Sequence, residues 1–179
     1  MSDAGREGPA TAFSALYQSY APDVFRFVLY LSGNRGDAED ITAEAFARLW
    51  ASPVPVQMET VKGYLFTIAR NLFLQSWRKR SRQVELAGEL PDPQASAATR
   101  AEVRSELRAV MSRLNALPEV DRAALLLRAV AELPYEEIAR SLGISLAAAK
   151  VKVHRARRAL SQVRQSSPEV KGDLDASHS

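Results

Sequence analysis

From Phe13 onward the apolar residues of this chain recur at steps of three and four, and no stretch keeps the period of two that a strand requires. That pattern restricts the chain to helices. Phe13, Leu16, Tyr17, Tyr20, Val24, Phe27, Val28 and Leu31 define a first helix that ends at Gly33, with Pro22 kinking or dividing it. Asp37 reads as the N-cap of a second, which runs to about Trp50 and is broken by Ser52-Pro53-Val54-Pro55. A third, roughly Thr60 to Arg82, carries Val61, Tyr64, Leu65, Ile68 and Leu72 on one side.

The period then lapses. Between Gln83 and Ala98 stand Gly88, Pro91 and Pro93 with the acids Glu85, Glu89 and Asp92, the composition of a flexible acidic linker. Helical spacing resumes near Thr99 and passes through Val103, Leu107, Val110, Met111 and Leu114. Pro118 suits the first position of a helix through Ala123, Leu126 and Leu127. Pro134 starts a shorter one ending at Gly143, and Ser145 caps the last, which reaches about Arg164. The fold class is therefore all-α, with two small helical domains at 11–82 and 99–164. A disordered lead-in (1–10), the linker (83–98) and a flexible polar tail (165–179) complete the expected organisation.

Composition removes several function classes. Hydrophobic residues make up 46%, enough for real cores, and there is no cysteine, which excludes disulfides and thiolate metal sites. With only His154 and His178, no metal site and no cofactor are expected. No apolar run approaches the roughly 20 residues of a spanning helix, and Met1 to Ala10 has no apolar signal core, so the expectation is a cytoplasmic protein without membrane insertion. No catalytic residue is expected either. Gly-rich phosphate loops and a nucleophile beside a base are missing, and the adjacent Glu136 and Glu137 fall in a helix first turn, where the dipole accounts for them.

Net charge is only +3, yet the charge is segregated: Asp37, Glu39, Asp40 and Glu44 lie together, and the bases fall in two other stretches. Residues 134–145 have the layout of a helix-turn-helix, with Ile138 and Leu142 buried, Ala139 small at a close approach, Gly143 in the turn and Ile144 closing the core. In the helix that follows, Ala149, Val153, Ala156 and Leu160 form an apolar stripe. Its other faces carry Lys150, Lys152, His154, Arg155, Arg157 and Arg158, and no acid occurs between Ser141 and Arg164. A helix of this kind fits the DNA major groove, with its flanks on phosphates.

The N-terminal half has two further faces. Ala38, Ile41, Ala45 and Leu49 are the buried stripe of the second helix, which leaves Glu44 outside it; Phe46 and Trp50 either join an exposed acid-and-aromatic interface or complete the core. In the third helix Arg70, Arg78, Lys79, Arg80 and Arg82 come with no acid among them. Phe73 and Trp77 interleave with these bases as a surface for phosphates and unstacked bases, or else belong to the core.

The runs AEDITAEAFARLW and GYLFTIARNLFLQSWRKR resemble region 2 of the sigma-70 family in its extracytoplasmic-function (ECF) group. LNALPEVDRAALLLRAVAELPYEEIARSLGISLAAAKVKVHRARRAL resembles region 4 of the same group, and the two come in the family's order across roughly Phe13 to Val163. The resemblance implies a sigma region 2 bundle and a sigma region 4 helix-turn-helix. It implies a sigma factor that binds core RNA polymerase and directs initiation by recognising −10 and −35 promoter elements. Asp40, Glu44, Phe46, Leu49 and Trp50 match the motif that docks on the clamp of the largest subunit. Arg70, Asn71, Trp77, Arg78, Lys79 and Arg80 fall in the −10 helix, which with the Ala51–Thr60 loop melts and holds that element. Lys150, Val151, Lys152, His154, Arg155 and Arg158 fall at the −35 contacts, in a region that also touches the flap of the second-largest subunit. Promoter DNA and, by family habit, a cognate anti-sigma protein are the remaining implied partners. The acidic linker would thread near the active site and RNA exit path.

This chain departs from the family pattern in Gln75 for a common aspartate, Ala43 for a common glutamine, Ala147-Ala148-Ala149 for a Gly-Thr-Val type opening, and Pro53 and Pro55 in the loop. These changes bear on promoter sequence more than on role. Two rival functions are a sigma mimic that sequesters an anti-sigma protein and a conventional helix-turn-helix regulator. A mimic has no need of two clean basic surfaces. A regulator needs a dimerisation or effector element, and leaves the acidic second helix unexplained.

Overall fold

A computed structural model of the chain describes residues 9–52, 58–87 and 103–161. Seven helices follow one another there: α1 (Pro9–Ser32), α2 (Arg35–Trp50), α3 (Met58–Ala87), α4 (Val103–Asn115), α5 (Glu119–Ala129), α6 (Tyr135–Leu142) and α7 (Leu146–Ser161). Among the described residues there is no strand, as the apolar period requires. Most of the lead-in, the centre of the Ala51–Thr60 loop with Pro53 and Pro55, most of the acidic linker and the tail lie outside the described residues.

The helices depart from the expectation at several points, the first being that α1 begins at Pro9, within the stretch expected to be a disordered lead-in. The second helix starts at Arg35, because the Asn34 side chain accepts a 3.0 Å hydrogen bond from the Asp37 backbone N–H and is itself the N-cap. Asp37 thus sits inside the first turn. Helix α3 continues past Arg82 to Ala87, about one turn into the stretch expected to be linker. Pro22 does not divide α1, which runs unbroken around it.

Helices α1, α2 and α3 pack mutually. Their core is Val24, Phe27, Val28 and Leu31 from α1, Ala38, Ile41, Ala45 and Phe46 from α2, and Val61, Leu65, Phe66, Ala69 and Phe73 from α3. Phe27 and Phe66 meet edge to face at 5.2 Å, a geometry worth about 0.5–1.5 kcal/mol beyond the area it buries. Helices α5, α6 and α7 form the second cluster around Leu126, Leu127, Ile138 and Val153, with α4 leaning on α5.

The two clusters touch. Helix α3 packs on α6, and α1 packs on α4 and α5. Gly63 on α3 is buried against Glu137 of α6, so closely that an added Cβ would collide with Glu137 Oε2. Gly33, at φ +71°, faces Met111 and Asn115 of the α4 side.

Candidate nucleic-acid and protein interfaces

Helix α2 turns its buried stripe inward as expected, with Thr42 added: its hydroxyl donates 2.6 Å to the Ala38 carbonyl, which satisfies a polar group at a core position. Asp40 and Glu44 stay exposed, Glu44 taking Arg48 as its i,i+4 partner at 2.7 Å. The open choice about the aromatics resolves by residue. Phe46 and Leu49 are buried, whereas Trp50 is 55% exposed. Trp50 does not stand alone. Phe13 packs edge-on against it at 4.7 Å, and Tyr17, itself exposed, tilts onto Phe46 at 4.7 Å. Helix α1 therefore extends the aromatic face, a contribution missed in sequence because Phe13 and Tyr17 fit a core stripe equally well.

On α3 the same division holds: Phe73 is core and Trp77 is 56% exposed, 6.3 Å from it. Asn71, Arg78, Lys79 and Arg82 face outward. Arg80 donates to Asp37 at 2.6 Å and so ties α3 to the start of α2. Arg70 is placed otherwise than a free DNA contact requires. It is buried, and its Nε and Nη2 donate to Glu119 Oε1 and Oε2 at 3.0 and 2.8 Å. Such a bidentate pair between a guanidinium and a carboxylate is among the stronger polar contacts, and this one joins the two clusters.

The helix-turn-helix has the expected geometry. Gly143 adopts φ +65°, its N–H and that of Ile144 return to carbonyls of α6, and the Ser145 hydroxyl accepts from the Ala148 N–H at 3.1 Å to start α7. Ala149, Val153 and Ala156 are buried with Leu160 partly so. Lys150, Val151, His154, Arg155, Arg157 and Arg158 are exposed. Lys152 is the exception: its ammonium is turned inward, 2.9 Å from Asp121 Oδ1 on α5.

The first turn of α5 is a junction that helical periodicity does not reveal. Glu119 holds Arg70 and Asp121 holds Lys152, while Arg122 donates to Asn115 Oδ1 at 2.8 Å. Burial lowers the Arg122 guanidinium from its ordinary range, and the neighbouring Glu119 charge opposes that shift. The available signal was an acid at an apolar position, Asp121 ahead of Ala123-Ala124-Leu125-Leu126-Leu127, in a chain whose last helix has only bases.

Comparison with known proteins gives the same two-part division. The model of sigma-70 region 2 matches residues 16–83, and that of sigma-70 region 4 matches residues 107–160. The chain is 33% identical over 150 residues to the ECF RNA polymerase sigma factor SigM of Bacillus subtilis, covering 81% of this chain and 90% of that one. It is 33% identical over 165 residues to the ECF RNA polymerase sigma factor SigE of Mycolicibacterium smegmatis, covering 87% of this chain but 63% of that protein's length. Among solved structures, the sigma factor RpoE in complex with the anti-sigma factor NepR from Bartonella quintana aligns with TM-score 0.75 and 27% identity. That match spans 88% of this chain and 99% of the other. CnrH in complex with the cytosolic domain of CnrY shares the fold at TM-score 0.69 and 22% identity, over 90% and 92% of the two chains.

Proposed function

The chain belongs to the ECF group of the sigma-70 family of RNA polymerase sigma factors, and from that premise we propose which of its surfaces do the family's work. The protein binds core polymerase and directs initiation at promoters with defined −10 and −35 elements. One observation carries the assignment of surfaces. An acid-and-aromatic face on α2 and two cationic helix faces, at the end of α3 and along α7, stand outward on one chain in the order of regions 2 and 4.

Asp40, Glu44 and Trp50 meet the polymerase clamp, with Leu49 and Phe46 holding that face from beneath and α1 adding Phe13 and Tyr17. Asn71, Trp77, Arg78 and Lys79 meet the −10 element: the cations take phosphates, and the exposed indole offers a stacking face to an unpaired base. Lys150, Val151, His154, Arg155 and Arg158 meet the −35 element in the major groove. Arg70 joins the −10 surface only when Glu119 releases it. By likeness to the RpoE–NepR complex, an anti-sigma protein holds this chain in check. The bond-making chemistry belongs to the polymerase, which also assigns the chain to the cytoplasm; no helix among the described residues is long and apolar enough to cross a membrane.

Reconstitution with bacterial core polymerase, followed by run-off transcription on a genomic promoter library, tests the reading. Core-dependent initiation from a shared −35/−10 pattern is the expected result. A folded protein that leaves core polymerase unbound would overturn it in favour of a sequestering mimic.

A further inference from the structure

We propose that Asp121 is a positioning residue for promoter reading: it withdraws Lys152 from the DNA and orients Arg155. The proposal rests on the reading of α7 as the −35 helix. The Asp121 side chain is only 2% exposed, and one of its oxygens accepts from Lys152 at 2.9 Å. The other lies 3.7 Å from Arg155 Nη1, within ion-pair range but too far for a hydrogen bond, and it has no hydrogen-bond partner among the described residues.

A carboxylate is a costly choice for this position, since a buried charge needs close partners to be tolerated. Both cations that face it come from α7, one turn apart along the helix. Each has a different fate. Lys152 spends its charge inside the protein. The Arg155 side chain remains 66% exposed, with its guanidinium in ion-pair range of the second Asp121 oxygen.

The consequence for recognition follows from what a lysine does on DNA. A free ammonium at the flank of a groove-reading helix gains a phosphate contact on any sequence, which raises affinity without raising discrimination. Neutralising Lys152 within the domain subtracts that sequence-blind contact. Arg155, pre-oriented rather than consumed, keeps its donors for a base edge, and the open Asp121 oxygen is there to steady it.

The test measures duplex binding by the full chain as a function of salt, on random-sequence duplex and on the promoter duplex recovered by run-off selection. For the paired variant D121N/K152Q, which removes both charges and leaves no buried carboxylate without a partner, the salt slope on random duplex is expected to match wild type; a slope shallower by about one, the value of one phosphate contact, would overturn the proposal. D121N is expected to bind random duplex more tightly, with a slope steeper by roughly one, the phosphate contact that Lys152 regains. Its preference for the promoter duplex is expected to fall roughly tenfold, the scale of one bidentate base contact. A parallel loss of affinity on both duplexes together with a lower melting temperature would mark Asp121 as structural only, and D121N/K152Q still decides if D121N does not fold. Wild-type binding that does not weaken with salt would remove the DNA-reading role of α7, and the proposal with it.

Discussion

Two residues of the second cluster have left-handed backbone, and they make opposite predictions. Gly143 sits at φ +65° with open space where a Cβ would go, so replacement meets only the intrinsic cost of that conformation. Gly143→Ala is expected to destabilise the protein by about 1 kcal/mol, read as a lower midpoint in urea. Glu132 adopts φ +55° with a Cβ already in place. Glu132→Gly removes that strain but adds unfolded-state entropy, so it is expected to be neutral or stabilising by roughly half a kcal/mol. A destabilised Glu132→Gly protein would mean the side chain makes a contact that outweighs the backbone. Trp50 belongs at this scale as well. It is half exposed, with Phe13 packed on its ring, and Trp50→Ala is expected to weaken core binding at least tenfold in a pull-down titration while hardly moving the melting temperature. Unchanged holoenzyme assembly would sink its role.

At the scale of elements, α1 holds a defect. Pro22 lies in its interior, exposed, with no N–H to offer the Gln18 carbonyl. The flanking turns persist because Val24, Phe27, Val28 and Leu31 bury one face against α2 and α3, and tertiary packing outweighs local propensity. Pro22→Ala is expected to raise stability by about 1–3 kcal/mol in urea unfolding with the fold unchanged; a loss of stability would mean that a bend at Pro22 is needed for the α1 packing. The same competition explains what could be read from sequence. The stripes of α2 and α7 are legible because each helix buries one face, and Ala38, Ile41, Ala45 and Leu49, like Ala149, Val153 and Ala156, follow from the helical period. Helix α3 was legible only in part: packed on α1, α2 and α6, it buries Phe66, Ala69 and Phe73 beyond a single stripe, while Tyr64 within the expected stripe is exposed. Residues whose partners come from another part of the chain were not legible at all. Arg70 looks like its neighbours Arg78 and Lys79 until Glu119, 49 positions away, is brought against it.

For the molecule as a whole, that pair governs more than stability. A sigma factor that reads two separated promoter elements must hold its two helical clusters apart, whereas here α3 and α1 rest against α6, α5 and α4. The packing is held by Arg70 on Glu119 and by the approach that Gly63 allows to Glu137. Because Glu119 is about a quarter exposed, solvent screens the pair, and its loss is expected to cost about 1–2 kcal/mol rather than the larger penalty of a fully buried one. That is enough to shift a two-state equilibrium roughly tenfold toward separated clusters. Glu119→Gln keeps the volume and removes the charge, leaving Arg70 without its counter-ion; Gly63→Leu keeps every charge and places a side chain too large to be cleared by a swing of the Glu137 carboxylate. Both are expected to raise the radius of gyration in solution scattering while helicity stays constant, and to lower the concentration of core polymerase needed for half assembly, since less of the binding energy goes into opening. The two variants fail differently. An effect from Glu119→Gln alone would make the closed state electrostatic, and it would then vanish in high salt. An effect from Gly63→Leu alone would make it a matter of shape. If neither changes the radius of gyration or the assembly midpoint, the contact between clusters does not oppose holoenzyme formation, and Arg70 is available to the −10 element without any release step.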